Sequence, residues 1–227
     1  MQGIIVGCDQ TLEWILPWWL KHYQMHNQYP VAFVDLGLSY EMKDWCKKNG
    51  EYIPLRIVDF AEEVDSELRE VWKKEAGLQF EEARNAWLKK PLALLKTPFE
   101  NTVWLDVDCE VRGDLSPIFE FADGFAMAKE QTPYDYPFVM YNSGVIAFQK
   151  NHLTLHDWAL WCQTKNHLFR GDQEAFSQMI DEKKTPITEL PPPFNWSRRM
   201  EENPDALILH WHGNHGKFVI RNACSHL

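Results

Sequence analysis

The sequence predicts an α/β fold with a mainly parallel central sheet and helices on both of its faces. Short apolar segments that resemble strands alternate with segments in which apolar residues recur at helical spacing. This βαβαβ alternation is typical of a parallel sheet covered on both faces. The 227 residues, 45% hydrophobic and 25% charged, suffice for one large core. No boundary or repeat divides them, so we expect a single domain over residues 1–227.

The first elements follow from apolar runs and their flanking residues. They are a strand at 3–8, a helix at 12–24, a strand at 31–35, a helix at 40–49 and a strand at 52–55. Pro17 is expected in the first turns of its helix or at the start of a second one. Gly50 is expected to end the helix at 40–49.

The remaining elements are predicted in the same way. They are helical residues over 62–96, strands at 102–105 and 144–148, helices at 153–165 and 172–180, and a strand at 206–211. Pro91 predicts a break, because proline is favoured as the first residue of a new helix. Three consecutive prolines at 191–193 predict an extended connector.

Charge and hydropathy exclude several classes of partner. A net charge of −10 opposes binding to nucleic acid or to anionic lipid. The longest apolar stretch, residues 14–20, contains Pro17 and is much shorter than a membrane-spanning helix. The first residues lack the basic segment of a signal peptide. We therefore expect a cytoplasmic protein with no transmembrane segment.

Two carboxylates stand at the end of the apolar strand 102–105. Asp106 and Asp108 are separated by one residue, so a continuing strand would point both to one face and a turn would let them converge. Ligands of open α/β sheets bind beyond the carboxyl ends of strands. Paired carboxylate oxygens there favour a hard divalent cation.

The surrounding sequence resembles a known family. Residues 102–119, TVWLDVDCEVRGDLSPIF, are similar to the Asp-x-Asp region of GT-A glycosyltransferases, particularly family 8, which includes glycogenin and bacterial galactosyltransferases. Three further segments match in the same order. They are YNSGV at 141–145, GDQ at 171–173 and HWHGNHGK at 210–217.

The resemblance implies a GT-A fold and a metal-dependent glycosyltransferase. Such an enzyme moves a sugar from a nucleotide-sugar donor, for this family mostly a UDP-sugar, to a carbohydrate or other hydroxyl acceptor with retention of configuration. Residues up to about 115 would form the nucleotide-binding half. Residues 116–227 would supply the acceptor side and the late metal ligand.

The resemblance also assigns the metal and diphosphate ligands. Asp106, Asp108 and His210 would hold Mn²⁺ or Mg²⁺, with His212 as the alternative because strand periodicity points both rings to one side. Lys217 would contact the diphosphate as a compact positive charge. Here the sequence departs from the family pattern, because Gly216 is one extra residue before the lysine.

Donor-side residues are assigned with open alternatives. Asp9 matches a position that contacts the nucleotide base, and it could equally cap a helix. Lys90, or its neighbour Lys89, would lie toward the donor sugar, with a solvated helix face as the alternative for either one.

The sugar site itself is assigned to two segments. Asn142 and Ser143 would bind sugar hydroxyls. Asp172 and Gln173 would lie beside the anomeric carbon as catalytic residues, although Asp172 also suits a helix N-terminus.

Two other functions compete with transfer. His210, His212 and His215 are similar to the histidine string of zinc-dependent hydrolases, with Asn214 in place of an aspartate. A non-catalytic nucleotide-sugar or glycan-binding protein could use the same scaffold. Hydrolysis of the donor would separate this second alternative from the enzyme.

Overall fold

A computed structural model describes residues 1–62, 64–76, 80–132 and 136–224. The strands are β1 (Gln2–Cys8), β2 (Val31–Asp35), β3 (Glu51–Pro54), β4 (Asn101–Leu105), β5 (Cys109–Val111), β6 (Phe125–Lys129), β7 (Tyr141–Gln149), β8 (Thr188–Glu189), β9 (Trp196–Ser197) and β10 (Ile208–His210). The helices are α1 (Leu16–His26), α2 (Tyr40–Asn49), α3 (Ser66–Ala76), α4 (Phe80–Leu94), α5 (Leu153–Thr164), α6 (Asp172–Lys183) and α7 (Gly213–Cys224).

The strands form two sheets. The larger has seven strands in the order β3-β2-β1-β4-β7-β6-β8, and the smaller has the order β5-β10-β9. In the larger sheet β3, β2, β1 and β4 are parallel, whereas β7 is antiparallel to both β4 and β6. The carboxyl ends of the four parallel strands therefore meet at one edge, where ligands bind in open α/β sheets. The predicted α/β class is confirmed.

The core lies on both faces of the larger sheet. Successive side chains of β1 point to opposite faces, so Ile4 and Val6 pack with Trp19 of α1, while Ile5 joins the cluster that includes Trp158 of α5. These residues are at most 1% exposed. A strand apolar on both faces is what a sheet covered on both sides requires.

The first βαβαβ unit agrees with prediction to within a few residues. Pro17 lies in the first turn of α1, after a short 3₁₀ turn at Glu13–Ile15. The hydroxyl of Ser39 accepts a hydrogen bond from the backbone N–H of Met42, which caps the start of α2, and Gly50 follows its end.

The predicted break at Pro91 is wrong. Helix α4 continues through Pro91 to Leu94, and the backbone N–H of Leu95 still donates to the Pro91 carbonyl at 3.3 Å. Leu88 and Leu94, on either side of the proline, are fully buried, so packing outweighs the hydrogen bond that proline removes. Residues 64–65 are not helical, and 63 and 77–79 lie outside the described residues.

The extended connector predicted at 191–193 is also only partly correct. Pro191 is extended, but Pro192–Asn195 form a 3₁₀ turn, because the fixed φ of proline suits a first helical turn.

Helix α7 and strand β6 were not predicted. None of the helices in the described ranges is both long and apolar enough to cross a bilayer.

Candidate active site

Asp106 and Asp108 lie on a tight turn between β4 and β5. The backbone N–H of Cys109 donates to the Asp106 carbonyl at 2.9 Å, so the two acids converge through a turn and not along a continuing strand. The indole N–H of Trp104 donates to Asp106 Oδ1 at 2.7 Å. The backbone N–H of Asp106 donates to the carbonyl of Gly144 on the neighbouring strand at 2.8 Å. This turn is therefore anchored to the central sheet.

His210 reaches the acids through strand pairing. Strand β10 is antiparallel to β5, with His210 opposite Cys109, the residue after Asp108. His210 Nε2 lies 3.4 Å from Asp108 Oδ1 and 3.9 Å from Asp106 Oδ2. One ligand atom from each of these three residues lies within 4.8 Å of the other two. Two carboxylates and an imidazole at this spacing could hold one divalent cation.

Gly144 makes room for the histidine. A Cβ atom at this position would lie 2.1 Å from His210 Cε1, closer than any real contact. The glycine in the YNSGV segment therefore permits the close approach of β7 to His210.

Neither competing histidine joins the cluster with the acids, although the ring of His212 lies 5.0 Å from that of His210. His212 Nε2 lies 2.6 Å from the hydroxyl of Ser197, and burial together with the charge of His210 lowers the pKa of His212 to about 3. His215 is exposed on α7. Within the described ranges the one cluster of ligand-type side chains is Asp106, Asp108 and His210, so the three-histidine arrangement of a zinc hydrolase does not form there.

Lys217 lies beside the acids despite the extra residue before it. Its Nζ is 2.7 Å from Asp108 Oδ2. Burial alone would raise the pKa of Asp108, but the charge of Lys217 and the hydrogen bond with His210 hold it well below its ordinary value. Gly216 allows α7 to pack closely, because a Cβ atom there would lie 1.6 Å from the Trp211 carbonyl oxygen.

Lys90 occupies the other side of the acidic turn. Its Nζ lies 3.0 Å from Asp106 Oδ1 and 3.2 Å from Asp172 Oδ2, and it donates to the Ser143 hydroxyl at 3.1 Å. Burial lowers the pKa of Lys90, but the two carboxylates outweigh burial and raise it overall. Lys89 instead pairs with Asp59. Both lysines are at most 9% exposed, so a solvated helix face is wrong for each.

Asp172 begins α6 but does not cap it. No side chain caps this helix, and Asp172 Oδ2 is buried with no hydrogen-bond partner in the part of the chain that the structure describes. Its contact with Lys90 is thus an ion pair without hydrogen-bond geometry. Burial and the nearby charge of Asp106 raise the pKa of Asp172 against the pull of Lys90. The Lys90 ammonium, 3.2 Å from Asp172 Oδ2, compensates the charge of this buried oxygen.

Gln173, Ser143 and Asn142 are held by internal hydrogen bonds. The backbone N–H of Ser143 donates to Gln173 Oε1 at 3.2 Å, and Gln173 Nε2 donates to Glu130 Oε2 at 3.4 Å. Asn142 donates to the same carboxylate oxygen at 2.7 Å and accepts from Asn195 at 3.0 Å. Sequence reasoning missed Glu130 and Asn195, since neither lies in a recognisable motif.

Comparisons with known proteins identify the fold. No family model and no curated protein matches the sequence. Among solved structures, the chain is similar to the galactosyltransferase LgtC in complex with donor and acceptor sugar analogues, at 14% identity and TM-score 0.60 over 99% of this chain and 96% of that one. It is similar to the glycosyltransferase GlyE of Streptococcus pneumoniae TIGR4, at 15% identity and TM-score 0.61 over 94% and 56% of the two chains. It is also similar to mouse xyloside xylosyltransferase 1, at 13% identity and TM-score 0.59 over 92% and 97%. The fold is that of the GT-A glycosyltransferases.

A large cavity opens at the carboxyl edge of the sheet in this GT-A fold. Its volume is about 680 Å³, and its lining includes Asp9, Lys90, Asp106, Asp108 and Lys217. Asp9 Oδ1 accepts a hydrogen bond from the backbone N–H of Thr11 at 3.0 Å. Asp9 therefore holds a local turn and borders the cavity, but it does not cap a helix, because the next helical turn begins at Glu13 with Leu12 at its N-cap and no side-chain cap.

Proposed function

We propose that this protein is a metal-dependent glycosyltransferase of the hexosyltransferase class. It transfers a sugar from a UDP-sugar to a hydroxyl of a carbohydrate or similar acceptor with retention of configuration. The observation that carries the proposal is the cluster of Asp106, Asp108 and His210 at the edge of the 680 Å³ cavity. The GT-A fold supports the same reaction class.

The donor atoms suit Mn²⁺ or Mg²⁺. Two carboxylates and one imidazole Nε2 form a hard, mostly oxygen ligand set, and the lowered pKa of Asp108 keeps that acid ionised and ready to bind a cation. When bound, the cation would neutralise charge on the diphosphate as the sugar–phosphate bond breaks. Lys217 Nζ, at 2.7 Å from Asp108, would supply a second positive charge to the diphosphate.

Residues on the Lys90 side would orient the sugar. Lys90 pairs with both Asp106 and Asp172, and the Asp172 carboxylate would accept a hydrogen bond from a sugar hydroxyl. The amide of Gln173 would lie against the positive charge that develops at the anomeric carbon. The bond between that carbon and the diphosphate oxygen breaks, and its electrons stay on the phosphate. The acceptor oxygen then bonds to the same face of the carbon, and its proton passes to the departing phosphate.

Calorimetry of UDP binding tests the proposal. We expect binding in Mn²⁺ and none in EDTA, and we expect His210→Ala to weaken Mn²⁺-dependent binding at least 10-fold, because it removes a ligand. His212→Ala is the matched control and should bind as the wild type, since His212 faces Ser197. Equal UDP affinity in EDTA would refute the metal site.

A donor screen separates an enzyme from a binding protein. UDP-sugars incubated with Mn²⁺ should be slowly hydrolysed and, with a carbohydrate acceptor, transferred with retention at the anomeric carbon. Binding of UDP and Mn²⁺ with neither hydrolysis nor transfer for any donor would favour the non-catalytic alternative.

A further inference from the structure

A chain of hydrogen bonds runs behind His210, on the side away from the acids. His210 Nδ1 lies 3.1 Å from Asn195 Oδ1, and Asn195 Nδ2 lies 3.0 Å from Asn142 Oδ1. Asn142 Nδ2 continues the chain to Glu130 Oε2 at 2.7 Å. His210 lies on β10, Asn195 in the turn before β9, Asn142 on β7 and Glu130 directly after β6. Asn195, Asn142 and Glu130 do not belong to the cluster of candidate metal ligands.

The direction of each hydrogen bond in this chain is fixed at Asn142. The backbone N–H of Gly144, which can only donate, lies 2.9 Å from the side-chain oxygen of Asn142. The amide oxygen of Asn142 therefore points toward Gly144 and Asn195. Its amide nitrogen points toward Glu130, whose carboxylate also accepts from the backbone N–H of Thr132 at 3.0 Å.

The same logic sets the amide of Asn195. Asn195 faces the side-chain oxygen of Asn142 at 3.0 Å and its backbone oxygen at 3.4 Å, and both are acceptors. Only the Asn195 nitrogen can donate to them, so the Asn195 oxygen must face His210. Because an amide oxygen only accepts, His210 Nδ1 has to carry the proton.

The imidazole therefore has one defined tautomer. With the proton on Nδ1, a neutral His210 presents the lone pair of Nε2 to Asp106 and Asp108, 3.9 and 3.4 Å away. The opposite tautomer would place an N–H where a cation ligand is needed and would set a lone pair against the Asn195 oxygen. Partners of this kind also fix ring orientation.

We propose that Asn195 is a positioning residue that holds His210 as the Nδ1–H tautomer, with Asn142 and Glu130 fixing the Asn195 amide. The use of this tautomer for cation binding rests on the proposed function, but the tautomer itself does not. Asn195 and Asn142 are 3% and 8% exposed, so water does not replace these bonds readily. Hydrogen bonds from Thr132 and Asn142 lower the pKa of Glu130 despite its burial, which keeps that residue an acceptor.

Nuclear magnetic resonance of the wild-type protein tests the tautomer directly. Histidine is labelled with ¹⁵N, two-bond proton–nitrogen correlations are recorded without metal at neutral pH, and His210 is assigned by its loss in His210→Gln. We expect Nδ1 of His210 to carry a proton, because the Asn195 oxygen opposite it can only accept. An unprotonated Nδ1 at His210 would overturn the proposal, whether or not the protein binds UDP.

Variants of Asn195 test the positioning role. Asn195→Leu, of similar size, should weaken Mn²⁺ binding by about 10- to 100-fold. Asn195→Asp keeps an acceptor opposite His210 Nδ1, so its Mn²⁺ affinity should stay within a few-fold of the wild type even if its thermal stability is lower. Ser197→Ala, which removes the partner of His212, is the matched control and should leave Mn²⁺ affinity unchanged.

The outcomes of the two proposals are distinguishable. Wild-type affinity for Mn²⁺ in a folded Asn195→Leu variant would refute the positioning role and leave the metal site intact. Absence of Mn²⁺ binding in the wild type would instead refute the proposed function, and the wild-type nitrogen spectrum would still decide the tautomer.

Discussion

The carboxylates of Asp106 and Asp172 share one buried ammonium group, that of Lys90, at 3.0 and 3.2 Å. The contact joins the end of β4 to the start of α6 through α4. Burial and the charge of Asp106 raise the pKa of Asp172, and the one positive charge of Lys90 offsets these effects only in part. Lys90 therefore links Asp106, a candidate metal ligand, to Asp172, a candidate sugar-binding residue.

Replacement of Lys90 should damage both stability and activity. Lys90→Met leaves two carboxylates facing each other without a cation, which should cost about 3–5 kcal/mol in free energy of unfolding. We expect transfer to fall by about 100-fold, because the orientation of both acids is lost. Urea unfolding and a transferase assay measure the two effects.

The adjacent lysine provides the control for this variant. Lys89 pairs with Asp59, whose side chain is 67% exposed, so Lys89→Met should cost about 1 kcal/mol or less and retain activity. Equal losses for the two variants would mean that α4 is merely disturbed and that the shared ammonium has no special role.

Gly144 should not tolerate even a methyl group. In Gly144→Ala the new Cβ would overlap His210 Cε1 at 2.1 Å, so the imidazole must move away from the acids. We expect Mn²⁺ affinity to fall at least 10-fold and the melting temperature to drop. Gly124→Ala is the matched control, because no atom lies within 4 Å of its added Cβ. A Gly144→Ala variant with normal Mn²⁺ affinity would contradict the observed packing.

Sequence patterns predicted the parts of the site that depend on residues close together in the sequence. Asp106 and Asp108 follow an apolar strand, and the end of a parallel strand is where ligands bind, so their location could be predicted. The choice of His210 over His212 as the candidate metal ligand could not be predicted from these patterns. It depends on the pairing of β10 with β5, a contact between residues about a hundred positions apart, and strand alternation alone treats the two rings alike.

An irregularity in β7 also escaped prediction. Met127 pairs with Ile146, but Ala128 pairs with Asn142, so residues 143–145 have no partner on β6. This bulge places the Ser143 carbonyl at Lys90, 3.2 Å away, and the Gly144 carbonyl at the backbone N–H of Asp106. Bulges depend on the register of two distant strands, which local periodicity does not contain. The internal partners of Asn142 were missed for the same reason.

Asp35 should make stability depend on pH. Burial would raise the pKa of Asp35, but hydrogen bonds from the Tyr52 hydroxyl and the backbone N–H groups of Leu38 and Gly37 lower it overall. An acid whose pKa is lower in the folded state stabilises the protein above the unfolded value, at about pH 4, and loses this effect as pH falls through the folded value. Asp35→Asn should therefore cost about 1–3 kcal/mol at pH 7 and less below pH 4.

Urea unfolding at several pH values tests this sign. The difference in free energy of unfolding between the wild type and Asp35→Asn should become smaller as the solution is acidified. Asp44→Asn is the control, because Asp44 forms an exposed pair with Lys47 and should change stability little at any pH. A difference for Asp35 that stays constant from pH 7 to pH 3 would show that its carboxylate is not selectively stabilised.

Asp172→Asn should separate catalysis from nucleotide binding. The substitution preserves size but removes the negative charge beside Lys90, so a hydrogen bond from a sugar hydroxyl would lose its charged acceptor. Asp172 does not contribute to the cluster of Asp106, Asp108 and His210, and UDP affinity in Mn²⁺ should stay within a few-fold of the wild type. Turnover should fall by about two orders of magnitude or more, since the lost contact acts on the reacting sugar. Asp157→Asn, in a surface pair with Lys183, is the control and should retain turnover. Wild-type turnover in Asp172→Asn with a productive donor and acceptor would remove Asp172 from the reaction, and a parallel loss of UDP affinity would move it to the nucleotide site.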